Sequence, residues 1–209
     1  MGSVSLKQIA GGLVVAVVLV GAHFMPTGRS QPLRRDHTLS WDYQRVPHTD
    51  ATPLERRLGE VASLVAGRSV QVRCEDFPEG DGQEPGGVVL LHGGEPADYT
   101  RIRPDVCTQL LKFMRAPERP TGASAVALDV LAHESMHLHG IPQENVAECY
   151  AMQAVPRVAR ALGASEPEGR TLARVLFGLN YPHMPPEYRS ADCRPGGRLD
   201  QHPGGGWPD

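Results

Sequence analysis

The sequence predicts an α+β domain, a small β-sheet followed by a helical half, behind an N-terminal membrane helix. Three observations carry this. Residues 69–103 hold short alternating or apolar runs separated by Gly, Pro and Asp. Residues 124–153 hold two helix-forming runs parted only by Gly140, Ile141 and Pro142. Residues 9–25 are almost wholly apolar. Outside the N-terminal region about 155 residues remain, enough for one substantial core.

The elements follow in order. The apolar run Ile9–Met25 lies at the lower length limit for a spanning helix, with Lys7 the only charged side chain before it. It reads as a signal anchor over residues 1–25, placing a single-pass chain in the cell membrane with its domain extracytoplasmic. A secreted form, cleaved near Val20-Gly21-Ala22, is the second reading. Arg29, Arg34 and Arg35 follow the segment and blur the positive-inside signal. Residues 26–51, with Pro26, Gly28, Pro32 and Pro47, read as a polar linker. The domain then occupies residues 52–209.

Within it, Leu54 to Val65 has apolar residues at helical spacing and Gly67 at its end. Ser69 to Cys74 alternates as a strand, and residues 75–87 read as a loop. Gly87 to His92 is a second strand, apolar and therefore expected to be buried. Asp98 to Arg103 is a third, expected at an edge. Pro104 to Met114 begins like a helix, with Pro near its first turn. The helix holding Ser124 to His133 continues to Gly140, a good C-terminal stop. The next begins near Pro142, and Pro156 is expected to kink or end it. Glu166 to Leu179 forms a further helix. Pro182 to Asp209 is Pro/Gly-rich and irregular, tied down by Cys193.

The chain has four cysteines, an even count that in an exported protein implies two disulfides. Cys74–Cys107 would join the end of a strand to the start of a helix, and Cys149–Cys193 would fasten the tail to the second motif helix. The net charge of −3 supplies no basic footprint for nucleic acid, and 5% aromatic residues supply no stacking platform for single strands.

The chemistry concentrates in His133-Glu134-Ser135-Met136-His137, an H-E-x-x-H pattern. About 0.02 such matches are expected by accident in a chain of this composition. Residues four apart lie on one helix face, so His133 and His137 can grip one zinc ion. Glu134, beside them, can take a proton from a zinc-activated water. Leu128, Leu131, Ser135 and Leu138 mark one, mostly apolar, stripe of this helix; Val130, His133 and His137 mark its neighbour.

The segment His133 to Gly140 resembles the active-site helix of the zincin metallopeptidases. It departs from the metzincins, because Gln143 stands where those carry a third His. Residues 143–153 are similar to the second active-site helix of small gluzincins, and the resemblance spans Val126 to Ala154. It implies a compact zincin-like fold, a Zn2+ cofactor, a peptide or protein substrate and a third ligand from a Glu on the second helix. Glu148, deeper in that helix and flanked by Ala147 and Ala151, is preferred over Glu144, which sits in the first turn where the helix dipole favours an acid. The expected site is thus His133, His137 and Glu148 on zinc with Glu134 as general base.

His139 would point to another face. Asp129, one turn before His133, is a candidate to orient its imidazole. His183, Tyr181 or Tyr188 could stabilise an oxyanion, and His92 reads as structural. The expectation is a membrane-anchored, extracytoplasmic zinc peptidase. The alternative is a non-catalytic exported domain, zinc-binding or disulfide-stapled, of degenerate zincin type.

Overall fold

A computed structural model describes residues 50–77 and 86–208. The expected membrane helix and nearly all of the expected linker lie outside these residues. Among the described residues no helix is long and apolar enough to cross a membrane.

Helix α1 spans Pro53–Ala66. Thr52 starts it: its hydroxyl accepts from the Glu55 amide (3.2 Å), and the Glu55 carboxylate accepts from the Thr52 amide (2.7 Å). The other Glu55 oxygen accepts from the Cys74 amide (2.8 Å), so the cap also fixes the end of β1, Gln71–Cys74. Leu58, Val61 and Ala62 form the buried face of α1. Arg68, just beyond it, donates to the carbonyls of Leu138 and Ala97 and pairs with Asp98.

The sheet departs from expectation in two ways. Gly87 to His92 is not one buried strand. Gly87–Val88 forms β2, whereas Leu91–His92 forms β3 and pairs with β4, Glu95–Pro96, in a separate exposed hairpin. The cause is the Gly93-Gly94 turn: both residues have positive φ (61° and 90°), as a two-residue hairpin demands. The third strand, β5 (Tyr99–Ile102), is central rather than at an edge. It pairs parallel with β1 and antiparallel with β2, giving the order β1-β5-β2.

Helix α2, Pro104–Arg115, carries Cys107, whose disulfide to Cys74 ties it to β1. Helix α3, Gly122–His139, is held at its start by a Thr121–Ser124 capping box and runs through the middle of the domain. Leu128, Leu131 and Leu138 are fully buried, each worth about 1.5–3 kcal/mol on the usual burial scale. Helix α4, Glu144–Ala161, starts two residues after Pro142. Pro156 lies inside α4 and does not end it. Instead α5, Glu166–Val175, presses against it: a Cβ on Gly169 would sit 3.0 Å from the Pro156 carbonyl oxygen. Helix α5 is shorter than expected, because the chain widens into a π-turn over Leu176–Asn180.

The tail is irregular, as the sequence implies, with two short 3-10 turns at Tyr181–His183 and Pro186–Tyr188. It is nevertheless anchored. Cys193 is bonded to Cys149 on α4. Gln153 donates to the Leu199 carbonyl and accepts from the Gln201 amide, both at 2.8 Å. Both disulfides thus join the pairs expected. With partners 33 and 44 residues apart, each restricts the unfolded chain by about 4 kcal/mol on the chain-entropy account.

Candidate metal centre

The centre is built where the end of α3 meets the start of α4. Gly140 has φ 103°, which few other residues tolerate, and it turns the chain sharply. The turn returns the Ile141 carbonyl to the His137 ring, where Nδ1–H donates to it at 2.7 Å. A carbonyl only accepts, so Nδ1 carries a proton, and in the neutral ring the Nε2 lone pair of His137 faces the cleft. His133 is fixed in the same sense: its Nδ1 lies 2.7 Å from Oε2 of buried Glu148. In the neutral ring its Nε2 also presents a lone pair.

The two Nε2 atoms are 2.9 Å apart. Oε2 of Glu144 lies 3.0 Å from Nε2 of His133 and 3.3 Å from Nε2 of His137. With neutral imidazoles three electron-pair donors thus face one another, an arrangement made favourable either by protons on the Nε2 atoms, as in the ion-free protein, or by a metal ion between them. Ligand atoms around a tetrahedral zinc are separated by roughly 3.3 Å, so the donor set and its spacing fit such an ion. His133, His137 and Glu144 form a group that could hold a metal ion.

Of the expected residues, the structure brings together His133, His137 and Glu134. It places the two glutamates in opposite positions to those expected. Glu144 reaches the shared point, and Glu148 sits on the far nitrogen of His133. The first turn of α4 lies closest to the end of α3, and one turn further on the helix passes behind the imidazole. Asp129 does not hold the imidazole; it is buried near Glu148. His139 bonds the Ala66 carbonyl through Nδ1 at 2.9 Å, away from the centre. Tyr181 meets the Ser190 backbone, while His183 and His92 are exposed. Tyr188 does join the site: its ring lies 5.6 Å from that of His133.

The electrostatics follow from burial and these contacts. Hydrogen bonds from His133 and His137 hold Glu144 down at about 2. Burial opposes charge on His133, but the bonds to Glu144 and Glu148 outweigh it and raise its pKa. Burial pushes Glu134 up to about 7. Burial, and then the Glu148 charge, raises Asp129. Burial, with the nearby carboxylates, pushes Tyr188 up to about 12 and keeps its hydroxyl protonated at neutral pH.

For the metal-free protein this sets a pH dependence. The folded Glu134 pKa exceeds the ordinary 4.5, so the proton-linked stability is full below 4.5 and lost as pH rises through 7. The loss is on the order of 3 kcal/mol for a buried carboxylate. The ion-free Glu134→Gln protein, which has no such proton to lose, should therefore gain on the wild type between pH 4.5 and 7. Thermal unfolding across that range checks this, and parallel curves for the two proteins would refute it.

A cleft of about 780 Å³ opens over the centre. Its walls include Val88, Val89, Leu91 and Val126 on one side and Met184 and Tyr188 on the other. The sequence pointed to none of the wall residues except Tyr188. The Gly86-Gly87 pair, which brings β2 against α3, was the one available signal for the wall. Comparison of the chain with protein-family models, curated proteins and solved structures gives no match.

Proposed function

We propose that this protein is a zinc-dependent peptidase working outside the cytoplasm, held at the membrane by residues 1–25. The observation that carries the reading is the convergence of His133 Nε2, His137 Nε2 and Glu144 Oε2 beside buried Glu134 in an open cleft. A structural zinc site would not need the carboxylate beside it or the cleft above it. The two disulfides support an oxidising compartment.

In this reading His133, His137 and Glu144 hold the zinc, and Glu148 orients His133 through its Nδ1–H. Bound there, zinc lowers the pKa of a water and polarises a carbonyl. Glu134 accepts the proton of the attacking water and delivers it to the leaving amine. Tyr188, still protonated at neutral pH, donates its hydroxyl to the oxygen on which charge develops. The substrate lies extended along β2. The Arg103 amide bonds the Gly86 carbonyl (3.0 Å), so in the antiparallel register the peptide groups of Gly87 point away from β5 and can pair with another strand.

The test is a mixed peptide library incubated with the zinc-loaded chain and read by mass spectrometry. Cleavage is expected, with loss on chelation and return on adding zinc. Zinc-loaded protein that cleaves nothing would overturn the peptidase reading.

A further inference from the structure

Helix α3 and strand β2 approach each other more closely than side chains normally allow. A Cβ built on Gly87 would lie 2.5 Å from Cγ of Glu134 and 2.9 Å from its Cδ and Oε1. Non-bonded carbons settle at 3.5–4.0 Å, so no side chain fits there while Glu134 stays in place. Gly87 is not among the glycines with positive φ, so its backbone would accept alanine and the constraint is space alone. Its neighbour Gly86 faces a different partner: a Cβ there would lie 2.8 Å from Cγ2 of Val130.

We propose that Gly87 is a positioning residue, whose bare Cα is the seat that fixes the Glu134 side chain beside the metal centre. The inference rests on the reading of Glu134 as general base. Glu134 is 5% exposed and its Oε2 has no hydrogen-bond partner, so no polar contact orients that oxygen. Shape does so instead. The strand backbone closes one side of the carboxylate stem and leaves the cleft as the direction in which it can act. Adding one methyl at Gly87 would force Cγ to move by about 1 Å, a misplacement that typically costs about 10²-fold in rate.

The experiment uses the full chain as wild type, Gly87→Ala, Glu134→Ala and the double variant, with Gly169→Ala, outside the cleft, as control. Thermal unfolding of the zinc-free proteins is the readout that needs no activity. Gly87→Ala should lower the midpoint in the wild-type background and leave it unchanged in Glu134→Ala, where no Cγ remains to be struck. If Gly87→Ala alone fails to fold, the double variant should fold. In the zinc-loaded proteins Gly87→Ala should lower kcat about 10²-fold, with KM and zinc content unchanged. Gly169→Ala, which strikes the Pro156 backbone outside the cleft, should lower the unfolding midpoint and keep kcat. An equal loss of midpoint in both backgrounds would overturn the seat. A wild-type kcat in Gly87→Ala would overturn the positioning role. Coupled unfolding with no hydrolysis by any of the proteins would instead retire the peptidase reading, and the positioning role with it.

Discussion

Elemental analysis of the purified chain is expected to find near-stoichiometric zinc in the wild type and none in His137→Ala. Between the glutamates, Glu144→Ala should lose far more zinc than Glu148→Ala. Glu144 places an anionic oxygen 3.0 and 3.3 Å from the two Nε2 atoms, so its removal deletes a donor. Glu148 is 2.7 Å from the opposite nitrogen, so its removal only releases the His133 ring. Partners of that kind typically weaken metal affinity by about 10–100-fold when removed. Glu148→Gln should be milder still, because the amide oxygen can accept the same Nδ1–H. Competition with a chromophoric chelator measures the order. The reverse order, with zinc kept in Glu144→Ala and lost in Glu148→Ala, would return Glu148 to the ligand position expected from the sequence.

Hydrolysis should fall by about 10²–10⁴-fold in Glu134→Gln, with zinc and fold retained. The substitution keeps the shape of the side chain, which matters in a site that Gly87 bounds so closely. In the proposed mechanism it removes the group that takes and returns the proton. Glu134 makes no direct bond to the His133–His137–Glu144 group, so metal content should not change. Undiminished cleavage by Glu134→Gln would refute its role as general base. Zinc in both proteins with cleavage by neither would favour the non-catalytic domain.

Much of this was legible in the sequence, and the limits have physical causes. The i, i+4 histidines sit together because a helix of 3.6 residues per turn requires it, whatever surrounds the helix. The disulfides followed from joining a strand end to a helix start and the irregular tail to the second motif helix. The third donor was harder. Glu144 and Glu148 are one turn apart on one face, and depth in the helix favoured Glu148. Depth does not match the geometry: the buried glutamate reaches the rear of the imidazole, while the half-exposed one reaches its front. Which one reaches the front depends on how α4 leaves the Gly140 turn, and no local pattern encodes that. The central place of β5 was hidden for a similar reason. Its parallel partner β1 lies 28 residues earlier in register, Gln71 against Tyr99, and edge or centre is decided by such distant pairing. Pro156 does not end α4, where it is packed against α5.

The turn at Gly140 links two properties that are usually treated apart. The backbone bond from the Ile141 amide to the Met136 carbonyl (3.2 Å) forms when α3 ends, before any ion is present. That same bond delivers the carbonyl that selects one tautomer of His137 and stops its ring from flipping. The rotational freedom of this proposed ligand is therefore surrendered during folding rather than at the moment of binding. A residue at position 140 that resisted φ 103° would touch neither the ion nor the substrate, since a side chain there meets open space. It would nonetheless slow capture of the metal, because each encounter would have to find the ring in the right orientation first.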